Sequence, residues 1–192
     1  RDDVVTPLPS GTAYSPHADR VVERKLGELR VCARDVDRCA VVAADETSTY
    51  LSIDLITGST KRTVSATLPY AAPRGHSNYA AISPDGKRLA FTSSPGAILD
   101  AFVIDLATSA VSQVRFDRPN CFAQMVAFVS NTALATSVNC AAKSEILVND
   151  GGVVTSLYRA NGWISGLAID GSGTVYISER LYDHELVKID GI

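Results

Sequence analysis

The same order of short strands and turns recurs four times along this chain of 192 residues, and this repetition restricts the fold more than any other feature. The clearest copy contains the segment YAAISPDGKRLAFTSS at Tyr79–Ser94. Two runs rich in aromatic and branched residues flank PDGK, where proline presets a turn and glycine accepts a positive φ. A third strand ending in VIDL, a polar turn and a fourth strand VSQVRF complete an antiparallel meander.

An acidic residue stands near the end of the predicted third strand in every repeat. These residues are Asp54, Asp105, Asp150 and Asp190, at successive intervals of 51, 45 and 40 residues. A blade of a β-propeller is about 40 to 50 residues long. A β-sandwich also has short strands and frequent turns, but it gives no reason for one turn chemistry to recur four times. The sequence therefore predicts an all-β fold, a β-propeller of four-stranded antiparallel blades.

The repeats also suggest how the ring closes. We predict a single domain whose repeats cover residues 28–68, 78–117, 121–159 and 163–192. The last repeat lacks a fourth strand, and DVVTPLP near the N-terminus is similar to the fourth strands of other repeats. We expect residues 3–8 to complete the last blade, which removes an open sheet edge. Two alternatives remain open, a fragment of a larger propeller and a ring shared by two chains. Since the chain begins at Arg1, we expect a longer precursor or a trimmed form of one.

Two segments resemble known propeller repeats. The first, AAISPDGKRLAFTSS followed by AFVIDLATSAV, resembles the repeats of TolB-type and WD40-like propellers, also called the PD40 type. The second, ISGLAIDGSGTVYISE, is similar to NHL-type and lactonase-type repeats. Those families usually have six or more blades, whereas this chain has four repeats. The resemblance implies the fold, but propellers include binding platforms, sensors and several enzymes, so it does not assign a function.

The four cysteines lie where the repeat pattern can pair them. Cys32 and Cys39 flank the first hairpin turn, and a hairpin folded about Ser130 brings Cys121 close to Cys140. We therefore predict disulfides Cys32–Cys39 and Cys121–Cys140, and a secreted, periplasmic or cell-surface location such as a bacterial cell exterior. The alternative is four reduced cysteines that pack as small hydrophobic residues. Zinc is disfavoured, because neither a CxxC motif nor clustered histidines accompany them.

Composition and motifs exclude several classes of function. The net charge of −3 and a pI near 5.6 provide no basic field for nucleic acid. No apolar run approaches the roughly 18 residues that cross a bilayer. The sequence contains no nucleophile elbow, phosphate-binding loop or HExxH motif.

A propeller gathers its loops at two ends, and one end carries the candidate site. We call the end with the links between blades and the loops between second and third strands the loop face. The opposite end, with the hairpin turns, is the hairpin face. Aromatic, arginine and asparagine side chains that converge on a concave surface are typical of a binding site for a peptide or a small polar ligand. The loop-face candidates are Arg74, His76, Asn78, Asn120, Arg159, Asn161, Trp163, Glu179, Arg180, Tyr182, Asp183 and His184.

These residues favour a noncatalytic sensor or recognition domain that binds a protein, a peptide or a small polar ligand. We expect no catalytic residue, no cofactor and no bound metal, and the oligomeric state stays open. The alternative is a small enzyme of the lactonase or lyase type, in which Glu, Asn and Asp side chains hold a divalent metal and a histidine moves protons. The available oxygen ligands are Glu179, Asn78, Asn120 and Asn161. The asparagines lie at unequal distances from the first strands, which argues against a ring of equivalent ligands. Trp163 also fits a packing position under a loop.

Overall fold

The computed structural model describes residues 28–44, 50–68, 80–92, 100–140 and 143–180. Within these residues every regular element is a strand. The strands are β1 Glu28–Cys32, β2 Arg38–Ala44, β3 Tyr50–Thr57, β4 Thr60–Thr67, β5 Ala80–Ile82, β6 Arg88–Thr92, β7 Asp100–Asp105, β8 Val111–Arg115, β9 Phe122–Phe128, β10 Leu134–Cys140, β11 Lys143–Asp150, β12 Val153–Arg159, β13 Trp163–Ile169 and β14 Val175–Arg180.

The strands form four antiparallel sheets, each a simple meander. Three sheets have four strands, in the orders β1-β2-β3-β4, β5-β6-β7-β8 and β9-β10-β11-β12, and the fourth pairs β13 with β14. This architecture confirms the predicted all-β fold of four-stranded antiparallel blades. The end of the fourth repeat and the closing strand at residues 3–8 lie outside the described residues, so the single closed domain stays a prediction.

Local chemistry explains the turn between β5 and β6. The Ser83 hydroxyl donates a hydrogen bond to the Asp85 carboxylate at 2.7 Å and accepts one from the Lys87 backbone N–H at 3.1 Å. Gly86 has a φ of 68°, a left-handed conformation that costs other residues energy. A Cβ atom at Gly86 would also lie 2.9 Å from Cδ of Arg38 in the first blade. The positive φ of the turn and the close approach of Arg38 from the neighbouring blade therefore both favour glycine at position 86.

The hydrophobic core lies between successive sheets. Side chains alternate along each strand, so a central strand such as β6 contributes to two layers. Leu89 and Phe91 pack against the first sheet, whereas Ala90 packs with Phe128 and Leu134 of the third sheet. A third cluster joins the third and fourth sheets. The four sheets therefore stack face to face in chain order, as blades do.

The first strands of the blades pack against one another, β1 on β5, β5 on β9 and β9 on β13. Their hairpin turns consequently meet at the hairpin face. The backbone N–H of Asp35 donates to the carbonyl of Pro84 at 3.2 Å, which joins the first and second turns. The N–H of Asp85 donates to Oδ1 of Asn131 at 3.0 Å, which joins the second and third turns.

One arginine connects the first blade to the last two. The guanidinium of Arg34, in the first hairpin turn, donates to the carbonyl of Asp170 at 2.8 Å and to the carbonyl of Val129 at 2.7 Å. Its side chain is only 15 % exposed. Asp35 lies 3.7 Å from Nε, beyond hydrogen-bond distance. We call these two contacts the Arg34 bridge. It brings the hairpin turns of the first, third and fourth blades together.

Candidate functional site

The described part of the loop face consists of the links at residues 116–121 and 160–162 and the strand ends beside them. Six of the predicted candidates lie there, namely Asn120, Arg159, Asn161, Trp163, Glu179 and Arg180. The other six lie outside the described residues, namely Arg74, His76, Asn78, Tyr182, Asp183 and His184.

Both predicted disulfides are present, Cys32–Cys39 and Cys121–Cys140. Cys32 lies directly opposite Cys39 in the β1–β2 ladder. The bridge from Cys121 to Cys140 fastens the beginning of β9 to the end of β10 on the loop face. These cross-strand positions follow from the hairpins that the repeat pattern predicted.

An aromatic pair lies beside the second disulfide. Phe122 follows Cys121, and its ring centroid is 5.9 Å from that of Trp163, with an angle of 49° between the planes. The two residues begin β9 and β13, so the pair joins the third and fourth blades. Both side chains are half-buried. Trp163 therefore packs against Phe122 and keeps part of its surface exposed.

A carboxylate holds two arginines on the same surface. Glu145, at the beginning of β11, accepts from Nε of Arg118 at 3.2 Å and from Nε of Arg159 at 3.1 Å. Burial raises the pKa of the Glu145 carboxyl, but hydrogen bonds from Ser156, Arg118 and Arg159 outweigh burial and hold that pKa below its ordinary value. Glu145 is therefore ionised at neutral pH. The side chain of Arg159 is 80 % exposed, so Glu145 orients this guanidinium while its charge stays accessible.

The sequence analysis missed Arg118 and Glu145. Glu145 lies directly opposite Arg159 in the β11–β12 ladder. That register was a usable signal, because opposite charges on paired strands attract each other. Arg118 lies in the link before β9, and only the packing of blades brings it to Glu145.

Glu179, the carboxylate of the enzyme alternative, accepts two hydrogen bonds within the fold. Its Oε2 accepts from the Tyr158 hydroxyl at 2.7 Å, and its Oε1 accepts from the Gly162 backbone N–H at 2.8 Å. The carboxylate thus ties β14 to β12 and to the link before β13. A metal ion at this carboxylate would compete with both donors. The described residues contain no cluster of three or more metal-ligating His, Cys, Asp or Glu side chains.

Replacing Glu179 with glutamine tests this structural role. The hydrogen bond to Glu179, followed by burial and the nearby charge, raises the pKa of Tyr158 above its ordinary value. In Glu179→Gln we expect that pKa to fall back toward 10, with a loss of about 1 kcal/mol of stability. Titrating the phenolate absorbance measures the pKa, and Tyr158→Phe identifies the contribution of this residue among seven tyrosines. An unchanged Tyr158 pKa would contradict the assignment.

A buried polar network supports the link between the third and fourth blades. The Asn139 amide donates to Gln124, and the Ser144 hydroxyl donates to Asn139. The same hydroxyl accepts from the backbone N–H of Ile164 at 3.2 Å, and the Ser144 carbonyl accepts from Ala160 N–H at 2.9 Å. Buried hydrogen-bond networks of this kind favour one arrangement of the groups above them.

The remaining candidates are exposed around this framework. Asn120 has a φ of 60°, a conformation that asparagine tolerates better than most residues, and it directly precedes the Cys121–Cys140 disulfide. Asn161 lies in the link before β13, and Arg180 lies opposite Trp163 in the β13–β14 ladder. All three side chains are exposed.

No protein-family model matches the chain, and no curated protein matches it. Solved structures do match it. TolB from Acinetobacter baumannii superposes with a TM-score of 0.54 and 19% identity, over 79% of this chain and 37% of that one. Oligogalacturonate lyase from Vibrio parahaemolyticus superposes with a TM-score of 0.53 and 11% identity, over 75% of this chain and 42% of that one. The chain therefore spans less than half the length of either protein.

These matches confirm the predicted resemblance to TolB-type propellers at the level of fold. At such low identity they carry no activity, substrate or partner to this chain. No helix in the described residues is long and apolar enough to cross a membrane.

Proposed function

We propose that this chain is a noncatalytic recognition propeller whose loop face binds a protein, a peptide or a small polar ligand. The observation that carries the proposal is the surface where the Phe122–Trp163 pair lies at the same end of the blades as Arg118 and Arg159. Aromatic and arginine side chains contribute most of the binding energy in many interfaces.

The framework beneath that surface reduces the cost of binding. Glu145 restrains both arginines, the Cys121–Cys140 disulfide holds the strand that begins with Phe122, and the Ser144 network holds the link before Trp163. A surface that is already ordered loses little conformational freedom when a ligand binds. The contacts of Glu179 with Tyr158 and Gly162 favour a structural role for this carboxylate over a catalytic one.

The two disulfides support a location outside the reducing cytosol. Structural disulfides persist in secreted, periplasmic and cell-surface proteins and are rare in the cytosol. We place the protein in such a compartment. Its partner would then be a secreted or envelope protein, a peptide or a small polar molecule found there.

Trp163 provides the readout for a binding experiment, because it is the only tryptophan in the chain. We would titrate the protein with a panel of short acidic and aromatic peptides and with oligogalacturonate, and record tryptophan fluorescence. We expect saturable binding of at least one probe, with a Kd raised about tenfold or more in Arg159→Ala, equivalent to about 1.4 kcal/mol. Lys87→Ala on the hairpin face is the control and should leave the Kd unchanged.

Two results would contradict the proposal. Equal affinity in wild type and in Arg159→Ala would place the binding surface elsewhere. Elimination of oligogalacturonate, or hydrolysis of a lactone, that is lost in Glu179→Ala or His184→Ala would show that the protein is an enzyme.

A further inference from the structure

A cavity of about 340 Å³ opens on the first blade, at the hairpin face and away from the candidate surface described above. Its described lining consists of Arg38, Leu55, Thr57, Thr60 and Arg62. Two of these side chains are cationic and none is acidic, so the cavity carries a local positive charge in a protein whose net charge is −3.

Strand register explains why these side chains meet. Arg38 pairs with Thr57, and Thr57 pairs with Thr60, so the three form one row across β2, β3 and β4. Leu55 pairs with Arg62 in the next row on the same face, because residues two apart point to the same side of a sheet. The neighbouring residues of β3 and β4 point to the opposite side.

Both arginines are held in place by the second blade. Arg38 donates from Nε to the Thr57 hydroxyl at 3.2 Å and from a terminal nitrogen to the carbonyl of Gly86 at 3.2 Å. Arg62 donates from a terminal nitrogen to the carbonyl of Leu106. These acceptors are uncharged, so they orient the guanidinium groups without neutralising them. A guanidinium has five N–H donors, and these contacts use only some of them.

We propose that this cavity binds a small metabolite through an oxyanion, a phosphate or carboxylate group held between Arg38 and Arg62. Guanidinium groups form strong charge-assisted hydrogen bonds with such oxyanions, often two at once. The Thr60 hydroxyl supplies a further donor, and Leu55 contacts the less polar part of the ligand. The volume is at the lower end of the range for small-molecule sites, which is about 300 to 1,000 Å³.

The test is isothermal titration calorimetry at low ionic strength with inorganic phosphate and, separately, with citrate. We expect one saturable site for at least one of the two anions. Arg62→Gln and Arg38→Gln should each raise the Kd about tenfold or more. Thr60→Phe keeps both arginines but fills the cavity from an exposed strand position, and it should abolish binding.

Lys61→Ala is the matched control. It removes one positive charge from the same strand, but Lys61 points to the opposite side of the sheet and pairs with Asp54 at 2.6 Å. The Kd of the Lys61→Ala variant for the anion should change less than about twofold, because solvent and salt screen exposed charges at a distance. Arg159→Ala on the loop face should have no effect, which separates this site from the proposed recognition surface.

Three results would overturn the proposal. The first is that neither anion binds the wild-type protein at tens of millimolar. The second is that Lys61→Ala weakens anion binding as much as Arg62→Gln does. The third is that Thr60→Phe still binds the anion with wild-type affinity. Thermal unfolding of each variant shows whether it is folded. Thr60→Phe and Lys61→Ala decide the question even if an arginine substitution disrupts the interface between the blades.

Discussion

Replacing Arg34 with alanine is expected to destabilise the protein by about 2 to 4 kcal/mol. Hydrogen bonds from a charged donor contribute about 1.5 to 3 kcal/mol each, and the Arg34 bridge contains two, to Asp170 and Val129. Because one side chain makes both bonds, their contributions add up to less than the full sum. Their loss also leaves two carbonyl groups at the hairpin face without this donor. The bridge joins turns that are 95 and 136 residues apart in sequence, so its removal weakens the assembly of blades and not a single hairpin.

The turn that receives the bridge is itself well ordered. Asp170 accepts hydrogen bonds from the Ser172 hydroxyl and from the backbone N–H groups of Ser172 and Thr174. The Ser172 hydroxyl contributes most to lowering the pKa of the Asp170 carboxyl to about 2, so the group is ionised at neutral pH. This arrangement fixes the backbone of the turn and presents the Asp170 carbonyl to Arg34.

Urea unfolding followed by Trp163 fluorescence and by circular dichroism measures the effect. Arg34→Lys should recover less than half of the loss, because an ammonium group does not reproduce the planar fork of the guanidinium. Lys87→Ala is the control, since Lys87 lies in the neighbouring turn. Its side chain is 72% exposed, and its Nζ lies 3.6 Å from Oδ2 of Asp85. It should change stability by less than about 0.5 kcal/mol. Arg34→Ala with equally little effect would show that the bridge does not hold the blades together.

The sequence predicted features whose causes are local. Proline and glycine specify the turn at residues 83–88, and alternating side chains specify the strands beside it. Both disulfides followed from the hairpins, because Cys32 and Cys39 are neighbours across one turn. The Arg34 bridge could not be predicted this way, since its acceptors are backbone carbonyls in distant turns. A carbonyl group carries no sequence signature.

The candidate site shows the same division. Pattern reasoning predicts Arg159 and Trp163 at one end of the blades, because strand order determines the end at which each loop emerges. The sequence analysis did not predict that Glu179 accepts hydrogen bonds from Tyr158 and from a backbone N–H. It also did not predict that Arg118 donates a hydrogen bond to Glu145. These contacts depend on how neighbouring sheets pack. The cavity between Arg38 and Arg62 likewise could not be predicted, because carbonyl groups of the second blade orient both arginines.

Removing the Cys121–Cys140 disulfide is the second change with a large expected effect. The bridge joins residues 19 apart, and the loss of unfolded-state entropy from such a loop stabilises the folded protein by about 3 kcal/mol. The Cys32–Cys39 bridge joins residues 7 apart, and the same relation gives about 2.5 kcal/mol. The two bridges therefore stabilise the folded protein by similar amounts but differ in location. Only Cys121–Cys140 lies beside Phe122 and Trp163.

That difference in location separates stability from function. We expect the paired substitutions Cys121→Ala with Cys140→Ala, and Cys32→Ala with Cys39→Ala, to lower the free energy of unfolding by similar amounts in urea. Only the first pair should loosen the Phe122–Trp163 contact, shift the tryptophan emission of the folded protein and weaken loop-face binding. The second pair is the matched control, since it removes a bridge of the same chemistry from the hairpin face. Equal Trp163 emission and equal binding in both variants would mean that the disulfide stabilises the fold without ordering the recognition surface.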